Sequence, residues 1–402
     1  MSPFLKGEKM YVNIKQDSNK IVLRASQIVA INKENYLLLK IFGEYVTLVN
    51  NKYKSNIKFE RKLADMYDFG LNVSVNFYGS HLLLTYSFTG INFDMFKDLG
   101  FTNNDVIDLV NEYVNNPLIR NQTFVNKYVT LAKEIIITQI NEIKENYQTK
   151  AFYNSIDSYL DYKGVNFNFL LSEEDVNDVS ADDLYNFYLK YIQNNKIYYY
   201  TNILSENNLL NENYTLNFTD KISYSYTDTY KYKYVPSNID EVCVFYYLSI
   251  DTNPVVLRLL NDLIGGDSNS LLFSKIREEN QLCYLISSTN YNSLNNIVIT
   301  LLTSKDLVRK ANELVKDELS KLDISEENFM IAKKKYISSL MVSHDNISNE
   351  LSYIMFNNLY KNLKYEEVLE FINKLSFTEF KDEVNKLKLE YIYQVGGNDE
   401  NL

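Results

Sequence analysis

The stretch from Leu263 to Tyr284 reads LIGGDSNSLLFSKIREENQLCY and decides the fold of this chain. A helical pattern ends at the pair Gly265-Gly266, which permits positive φ angles and close backbone approach. Ser270 can cap a second helix, and Arg277 and Tyr284 then bracket the turn into a strand. Taken alone, the pattern also fits an ordinary glycine turn followed by an amphipathic helix with a solvated arginine.

The composition is that of a globular protein and excludes several functional classes. The 402 residues carry 41 Lys+Arg and 52 Asp+Glu, which gives a net charge of −11, and 46% are hydrophobic. Because the sequence has no sustained basic block, we predict that it does not bind nucleic acid. The longest apolar stretch, Val242–Ile250, is far shorter than the roughly 18 residues that a membrane span needs. We therefore predict no membrane partner.

Cysteine content and the first residues of the chain indicate a compartment. Residues 1–10 contain charges but no apolar signal-peptide core. The two cysteines, Cys243 and Cys283, do not make a disulfide framework. These features predict a cytoplasmic protein with buried thiols.

The two histidines argue against common catalytic designs. His81 lies in a short apolar run typical of a strand, and His344 lies near a helix end. Neither has a second histidine three or four residues away, whereas a zinc site or a histidine-based triad needs its groups placed together. We predict structural roles for both, which disfavours an unusual metal site in this chain.

One pattern occurs twice, at positions nearly half the chain apart. Ser180 precedes Asp183 by three residues, and Ser376 precedes Glu379 by three. Each resembles a capping box that opens a helix, and each helix leads into a β-branched and aromatic strand. We therefore predict two related domains, 1–203 and 219–402, joined by an Asn-rich linker at 204–218.

The patterns of both halves place short strands before helices. In the first half we predict strands at Met10–Ile14, Ile21–Leu23 and Tyr36–Leu39, a hairpin of Leu71–Phe77 and His81–Phe88, and helices at Tyr45–Asn50, Lys58–Met66, Asn104–Tyr113, Phe124–Glu145 and Ala151–Leu160. In the second half we predict strands at Ser223–Tyr234, Glu241–Ser249, Cys283–Ser288 and Ile297–Leu302, with helices at Pro254–Leu263 and Leu271–Glu279 and mostly helix from there to Lys388. This order predicts an α+β fold in which each domain packs helices on a mainly antiparallel sheet.

The opening stretch resembles the C-terminal-domain signature of the insulinase-like zinc metallopeptidases, the family of pitrilysin and mitochondrial processing peptidase. That signature has a Gly-rich turn, a Ser-x-Leu-Phe-like helix start, an Arg-Glu pair and Leu-Ala-Tyr. The matching positions are Gly265, Gly266, Ser270, Leu272, Phe273, Arg277, Glu278, Leu282 and Tyr284, with Cys283 in place of the usual alanine. The resemblance implies two homologous domains that form a clamshell around a cavity.

Active members of that family carry His-x-x-Glu-His on a helix of the first domain and a further glutamate downstream. The layout would place the motif near Thr47–Asn51, which contains neither histidine nor glutamate. The downstream segment would lie between Glu134 and Glu142, where Glu134 remains but Asn141 stands seven positions later. This comparison predicts a bacterial member that lacks the zinc motif, binds no cofactor itself and has no catalytic residue in isolation.

Arg277 and Tyr284 match an arginine and a tyrosine that, in related peptidases, reach the substrate and the reacting carbonyl. An arginine fork binds a peptide carbonyl or carboxylate, and a tyrosine donates a hydrogen bond to a developing oxyanion. Some bacterial members divide the work between such a chain and a zinc-bearing subunit. The resemblance therefore implies a non-zinc subunit of a heterodimeric peptidase.

The implied partners are a zinc-bearing paralogous subunit and an extended peptide substrate, which would add to a sheet edge. The assembly would be a hetero- or homodimer. Two alternatives stay open at this point. In one, Arg277 and Tyr284 have structural roles, Arg277 pairing with Glu278 or Glu279 and Tyr284 filling a core. In the other, the chain is a non-catalytic scaffold or peptide-binding protein of the same fold.

Overall fold

The computed structural model describes residues 9–13, 18–78, 81–165, 167–202, 230–292, 294–360 and 364–397. The predicted linker 204–218 and most of the predicted strand Ser223–Tyr234 lie outside the described residues. The predicted hairpin turn at 79–80 also lies outside them.

The described strands fall into two groups, one in each half of the chain. Those of the first half are β1 (Lys9–Asn13), β2 (Lys20–Ala30), β3 (Gly70–Tyr78), β4 (His81–Ile91), β5 (Ile119–Arg120), β6 (Thr123–Phe124) and β7 (Ile197–Thr201). Those of the second half are β8 (Lys231–Val235), β9 (Glu241–Ser249), β10 (Leu285–Tyr291), β11 (Asn296–Ser304) and β12 (Lys388–Val395).

Helices fill most of the remaining described chain. Those of the first half are α1 (Lys33–Leu48), α2 (Asn56–Asp65), α3 (Asn103–Asn115), α4 (Asn126–Glu145), α5 (Tyr147–Tyr162), α6 (Glu173–Asp178) and α7 (Ala181–Phe187). Those of the second half are α8 (Pro254–Asn261), α9 (Val308–Lys321), α10 (Glu326–His344), α11 (Ile347–Tyr360), α12 (Tyr365–Lys374) and α13 (Phe377–Val384). A 3₁₀ turn spans Lys97–Leu99, and π-helical turns span Tyr188–Ile192, Asp262–Gly266 and Phe273–Glu279.

Two five-stranded sheets share one topology. The first has the order β1-β7-β2-β4-β3 and the second the order β8-β12-β9-β11-β10. In each, the first pair is parallel and the other pairs are antiparallel. The α+β class, with mainly antiparallel sheets, is therefore confirmed.

Strand β9 forms the centre of the second sheet and explains the longest apolar stretch of the sequence. Cys243, Phe245 and Tyr247 pack in a cluster with residues of α5. On the opposite face, the Tyr246 hydroxyl donates to the Asn312 side chain on α9. A strand buried on both faces needs continuous rather than alternating apolar residues.

The two predicted capping boxes are confirmed. The Asp183 amide donates to Ser180 Oγ at 3.1 Å, and the Asp183 carboxylate accepts from the Ser180 amide at 2.9 Å. The Glu379 amide donates to Ser376 Oγ at 3.2 Å, and the Glu379 carboxylate accepts from the Ser376 amide at 2.9 Å. These helices, α7 and α13, lead into the equivalent strands β7 and β12, as the repeat predicted.

A pair of lysines repeats with the same pattern. Lys133 on α4 donates from Nζ to the carbonyls of Asn177 and Val179, at 2.6 and 2.8 Å, at the end of α6. Lys333 on α10 donates to the carbonyls of Asn373 and Leu375, at 3.4 and 2.8 Å, at the end of α12. Each lysine thereby satisfies carbonyls that a helix end leaves without an intrahelical partner.

We expect Lys333→Met to lower the free energy of unfolding by about 1–3 kcal/mol, because methionine keeps the packing but donates no hydrogen bond to these carbonyls. Lys333 is 8% exposed, so solvent cannot fully replace the donor. Urea unfolding followed by tyrosine fluorescence measures the change. The neighbouring Lys334→Met is the matched control, since Lys334 is exposed; an equal loss in both variants would contradict the assigned role of Lys333.

The chain forms two compact units that exchange one helix each. The first unit contains residues 1–145, 166–218 and 344–361, and the second contains 146–165, 219–343 and 362–402. Helix α5 thus belongs to the second unit although it lies in the first half of the chain, and α11 belongs to the first unit although it lies in the second half.

Specific contacts hold each exchanged helix on its sheet. Within the first unit, the Arg24 guanidinium on β2 donates to Ser348 Oγ at 2.8 Å and to Ser352 Oγ, both on α11. Leu351 of α11 is fully buried in a cluster with residues of β2, β4 and β7. These contacts join residues more than 300 positions apart in sequence.

The compact units consequently differ from the predicted contiguous boundaries of 1–203, 204–218 and 219–402. The difference arises because periodicity predicts that α5 and α11 are amphipathic helices but does not identify the sheet that covers each one.

One predicted element was wrong. Tyr36–Leu39, predicted as a strand, lies inside helix α1. Asn32 caps this helix by accepting from the Asn35 amide at 2.7 Å. A short run of consecutive apolar residues fits a buried strand or a buried helix equally well, and here the cap and the surrounding core favour the helix.

Candidate functional site

The stretch from Leu263 to Tyr284 lies wholly within the second unit. Helix α8 starts with Pro254 in its first turn, as predicted, and Asn253 caps it by accepting from the Val255 amide at 2.9 Å. It continues into the π-helical turn Asp262–Gly266. A second helical segment ends in the π-helical turn Phe273–Glu279, and residues 280–284 lead into β10.

Gly265 permits close packing rather than an unusual backbone angle. A Cβ atom there would lie 2.9 Å from Ser288 Oγ and 3.1 Å from the Ser288 amide nitrogen on β10. Gly265 and Gly266 do not have positive φ angles, so the pair does not use the left-handed conformation that glycine permits. Because π-helical backbone continues through both residues, the pair brings the turn against the sheet without leaving the right-handed region.

Arg277 is exposed and lies against an aromatic ring. Its guanidinium carbon is 4.9 Å from the centre of the Phe273 ring, within the range of a cation–π contact. It also acts on the half-buried Cys283: burial raises the pKa of that thiol to about 11, and the positive charge of Arg277 partly opposes the rise. Arg277 therefore presents a charged, oriented fork at the surface.

Tyr284 is 47% exposed at the start of β10. Its amide donates to the Leu302 carbonyl at 3.2 Å, which fixes its backbone against β11. Partial burial, followed by a hydrogen bond to the Glu241 carboxylate, raises the pKa of Tyr284 well above its usual value. The phenol therefore stays protonated, and its single O–H donor is directed at Glu241.

Glu241 is held by residues from α5. The Gln148 side-chain amide donates to its carboxylate at 3.3 Å, and the Tyr147 hydroxyl donates to its backbone carbonyl at 3.1 Å. Sequence reasoning did not identify Glu241, Tyr147 or Gln148. No local signal marks them, because Glu241 is more than 90 positions from Tyr147 and Gln148 and meets them through the exchange of α5.

The two predicted substrate-binding residues thus have different surroundings. Arg277 lies near Phe273 and Cys283. Cys283 in turn lies near Tyr246, whose hydroxyl donates to the Asn312 side chain on α9. Tyr284 lies near Glu241 and Tyr147. Arg277 and Tyr284 therefore lie at opposite ends of the segment 277–284, and each contacts different residues.

The segment 47–51, where the layout would place a zinc motif, contains other residue types. Thr47 lies at the end of α1, and Asn50 forms an isolated bridge with Pro117. Glu134 is exposed on α4. Within the described ranges, no group of three or more His, Cys, Asp and Glu side chains could hold a metal ion.

The contact between α1 and α4 lies slightly earlier than the layout predicted. Glu44 on α1 accepts from the Gln139 side chain on α4 at 3.1 Å. Read in a His-x-x-Glu-His frame, residues 41–45 keep this glutamate but have Ile41 and Tyr45 in the histidine positions. Tyr45 is fully buried and donates to the Leu118 carbonyl at 2.6 Å, so it is part of the core.

A lysine accompanies the retained glutamate. Burial lowers the pKa of Lys40, and the nearby Glu44 carboxylate partly offsets that effect. Lys40, Glu44 and Gln139 form a polar contact between two helices rather than a set of metal ligands. In the sequence, the signal for this position is the helical spacing of four between Lys40 and Glu44. The same spacing occurs at Lys275 and Glu279, so it does not single out this position.

Both histidines lie in regular secondary structure. His81 starts β4, opposite Ala30 on β2 and Tyr78 on β3. His344 ends α10 and pairs through Nδ1 with the Glu350 carboxylate on α11. The cysteines are free: Cys243 is buried, and Cys283 is half-buried. None of the described helices combines the length and the hydropathy that crossing a bilayer requires.

Comparison with known proteins gives one family match. Residues 243–336, which include the whole segment from Leu263 to Tyr284, match the family model described as "Peptidase M16 inactive domain". No curated protein matches the sequence.

Solved structures share the fold over nearly the whole chain. A conserved protein from Enterococcus faecalis has a TM-score of 0.84 at 16% identity, and the match covers 99% of this chain and 98% of that one. A peptidase M16 inactive domain from Pseudomonas fluorescens has a TM-score of 0.71 at 13% identity, covering 98% and 97%. A protease from Helicobacter pylori has a TM-score of 0.71 at 11% identity, covering 98% of each chain. At such identities the likeness establishes the fold.

Proposed function

We propose that this chain, of which residues 243–336 match the model of the M16 inactive domain, is the non-zinc subunit of a two-chain peptidase. A paralogous subunit would supply the zinc, and this chain would supply Arg277 and Tyr284 to an extended peptide substrate. The observation that carries the proposal is the exposed, protonated Tyr284 at the start of an edge strand.

Strand β10 is suited to bind an extended peptide. Among the described strands it lies at the edge of the second sheet, next to β11, and a peptide would pair with the side of β10 that faces away from β11. Tyr284 precedes this strand directly, and Leu285 is 37% exposed. A peptide added to this edge would pass beside the tyrosine hydroxyl.

Tyr284 and Arg277 would have distinct roles toward that peptide. A neutral phenol donates a hydrogen bond to a carbonyl oxygen and donates more strongly to an oxyanion as charge develops. To donate to the substrate, the Tyr284 hydroxyl would have to turn away from the Glu241 carboxylate. The Arg277 fork, oriented by the Phe273 ring, would bind a peptide carbonyl or carboxylate.

The isolated chain is expected to be inactive. The matched family model describes an inactive domain, and the described residues include no cluster of three or more groups suited to a metal. Cleavage would therefore require the zinc of the partner. The predicted cytoplasmic location and the dimer remain part of the proposal.

We expect Arg277→Ala combined with Tyr284→Phe to reduce peptide cleavage by the mixed subunits by about a hundredfold or more, because both changes remove donors to the substrate and the oxyanion. The assay mixes the purified chain with a zinc-bearing M16 chain from the same genome and measures kcat/KM on a fluorogenic peptide. Size-exclusion chromatography of each mixture checks that the subunits still associate.

A matched double variant, Arg309→Ala with Tyr67→Phe, provides the control. Arg309 is exposed on α9 in an ion pair with Glu313, and Tyr67 has the same 47% exposure as Tyr284. Unchanged cleavage in the Arg277/Tyr284 variant would refute the shared site. Partner binding without cleavage in any mixture would instead favour the non-catalytic scaffold or peptide-binding protein of the same fold.

A further inference from the structure

A groove of about 710 Å³ in the second unit lies between the start of α8 and helices α12 and α13. Its apolar lining consists of Val256 from α8, Phe371 from α12 and Leu375, the residue that follows α12. Val256 and Leu375 are buried and Phe371 is half-buried. Its volume falls within the range of sites that hold small molecules or a few residues of a peptide.

Acidic side chains surround this apolar surface. The lining contains one lysine, Lys374, and five carboxylates, which come from Glu367, Glu370, Glu379, Asp382 and Glu383. Hydrogen bonds hold three of these carboxylates in their charged form: those from Lys374, Ser376 and Lys386 lower the pKa of Glu370, Glu379 and Glu383, respectively. The lining therefore carries an excess of negative charge at neutral pH, although Glu370 and Glu383 are each paired with a lysine.

At the equivalent position in the first unit, a lysine of the chain itself pairs with an acidic side chain. Lys33, the first residue of α1, forms an ion pair with Asp175 on α6 at 2.8 Å. Helix α1 follows β2 as α8 follows β9, and α6 precedes the capping-box helix α7 as α12 precedes α13. The first residue of α8 is Pro254, which has no charge.

We propose that this acidic groove binds a short basic segment of another protein, in which apolar side chains alternate with lysine or arginine. The basic side chains would take the place that Lys33 has in the first unit, and the apolar ones would cover Phe371 and Leu375. The apolar surface distinguishes this occupant from a metal ion, because metal sites require several ligands converging on one point. No such group of ligands occurs among the residues that the structure describes.

The groove is separate from the proposed substrate site. The Tyr284 amide donates to the Leu302 carbonyl, and Leu302 pairs with Cys243 near one end of β9. Thr252 and Asn253, which line the groove, follow the other end of that strand. Strands rise about 3.3 Å per residue, so the two places are roughly 20 Å or more apart. The inference therefore does not depend on the proposed function.

The test measures fluorescence anisotropy of a short fluorescein-labelled peptide of lysines interrupted by two leucines, added to the full chain. Two further peptides serve as probes, one with serine in place of leucine and one with glutamate in place of lysine. Glu370→Lys with Asp382→Lys reverses charge in the groove without touching the capping-box acids Glu367 and Glu379. We expect this variant to weaken binding of the lysine–leucine peptide at least tenfold, because like charges then face each other.

Glu313→Lys with Asp317→Lys on α9 is the matched control, since each residue also forms an exposed ion pair four residues away, as Glu370 does. The proposal predicts a change of less than threefold in this control and markedly weaker binding of the serine and glutamate peptides. Phe371→Ala should weaken the lysine–leucine peptide and leave the serine peptide unchanged. Equal losses in both charge-reversal variants, equal affinity for the serine peptide, or no binding of the lysine–leucine peptide would overturn the proposal.

Discussion

Glu390→Ala is expected to lower the free energy of unfolding by about 3–5 kcal/mol, the loss typical of removing one partner from a buried ion pair. Glu390 pairs with Lys163, and the side chains of the two residues are 3% and 2% exposed, respectively. The Tyr159 hydroxyl also donates to the Glu390 carboxylate at 2.8 Å. Without Glu390, the buried Lys163 ammonium would lose this carboxylate.

The geometry of β12 explains why a glutamate is directed into this core. The pairing of β12 with β9 shifts register between Leu389 and Tyr391, so that Glu390 is the extra residue of a bulge. A bulge re-aims a side chain relative to a regular strand. The neighbouring residues of α5 add to the contact, since Ser158 Oγ lies 2.9 Å from the Tyr391 hydroxyl.

Urea unfolding followed by tyrosine fluorescence measures this loss, and the double variant Lys163→Met with Glu390→Leu separates charge from packing. We expect the double variant to recover most of the stability, because an apolar pair of similar volume carries no desolvation cost. Asp317→Ala, at the exposed Lys321–Asp317 pair, should cost less than about 1 kcal/mol. A loss of that small size for Glu390→Ala would show that the buried pair does not hold α5 in place.

Separate expression of the two halves, 1–218 and 219–402, is expected to yield fragments without a cooperative thermal transition. Each fragment would contain a helix whose sheet lies in the other fragment. The first fragment would lose the buried Ile347, Leu351 and Met355 of α11 from its core. Full burial of three such side chains contributes roughly 5–9 kcal/mol, which is comparable to the whole stability of a typical domain.

Co-expression of the fragments should restore the fold, because each then receives its missing helix. Copurification of an untagged 1–218 fragment with a tagged 219–402 fragment, followed by circular dichroism melting, measures this. Leu351→Ala should weaken the association, whereas Val342→Ala, at a residue that is 69% exposed on α10, should not. Sharp independent transitions in two fragments that do not associate would contradict the exchange of α5 and α11.

Features that depend on neighbouring residues were predictable from sequence. The capping boxes at Ser180 and Ser376 each involve residues three positions apart, so the residue types alone indicate them. The hairpin of β3 and β4 followed from alternating residues on both sides of a turn. We predicted strand β9 from the length of its apolar run, Val242–Leu248, and from the β-branched and aromatic residues in it.

Features that depend on what covers a surface were not predictable in this way. The run Tyr36–Leu39 required knowledge of its packing to distinguish helix from strand. The role of Gly265 required the position of Ser288 on the adjacent strand. For the candidate site, the sequence indicated Arg277 and Tyr284, whereas Glu241 and Gln148 became visible through the placement of α5.

The sequence by itself therefore determined the α+β class, the duplication, the absence of a His-x-x-Glu-His motif and the segment that matches an inactive peptidase domain. These properties are written in residue types at short spacings, where local hydrogen bonding and periodicity act. The tertiary structure alone decided the exchange of α5 and α11, the buried Lys163–Glu390 pair and the acidic groove beside Phe371. Burial and electrostatic pairing depend on distances between residues far apart in sequence, and folding sets those distances.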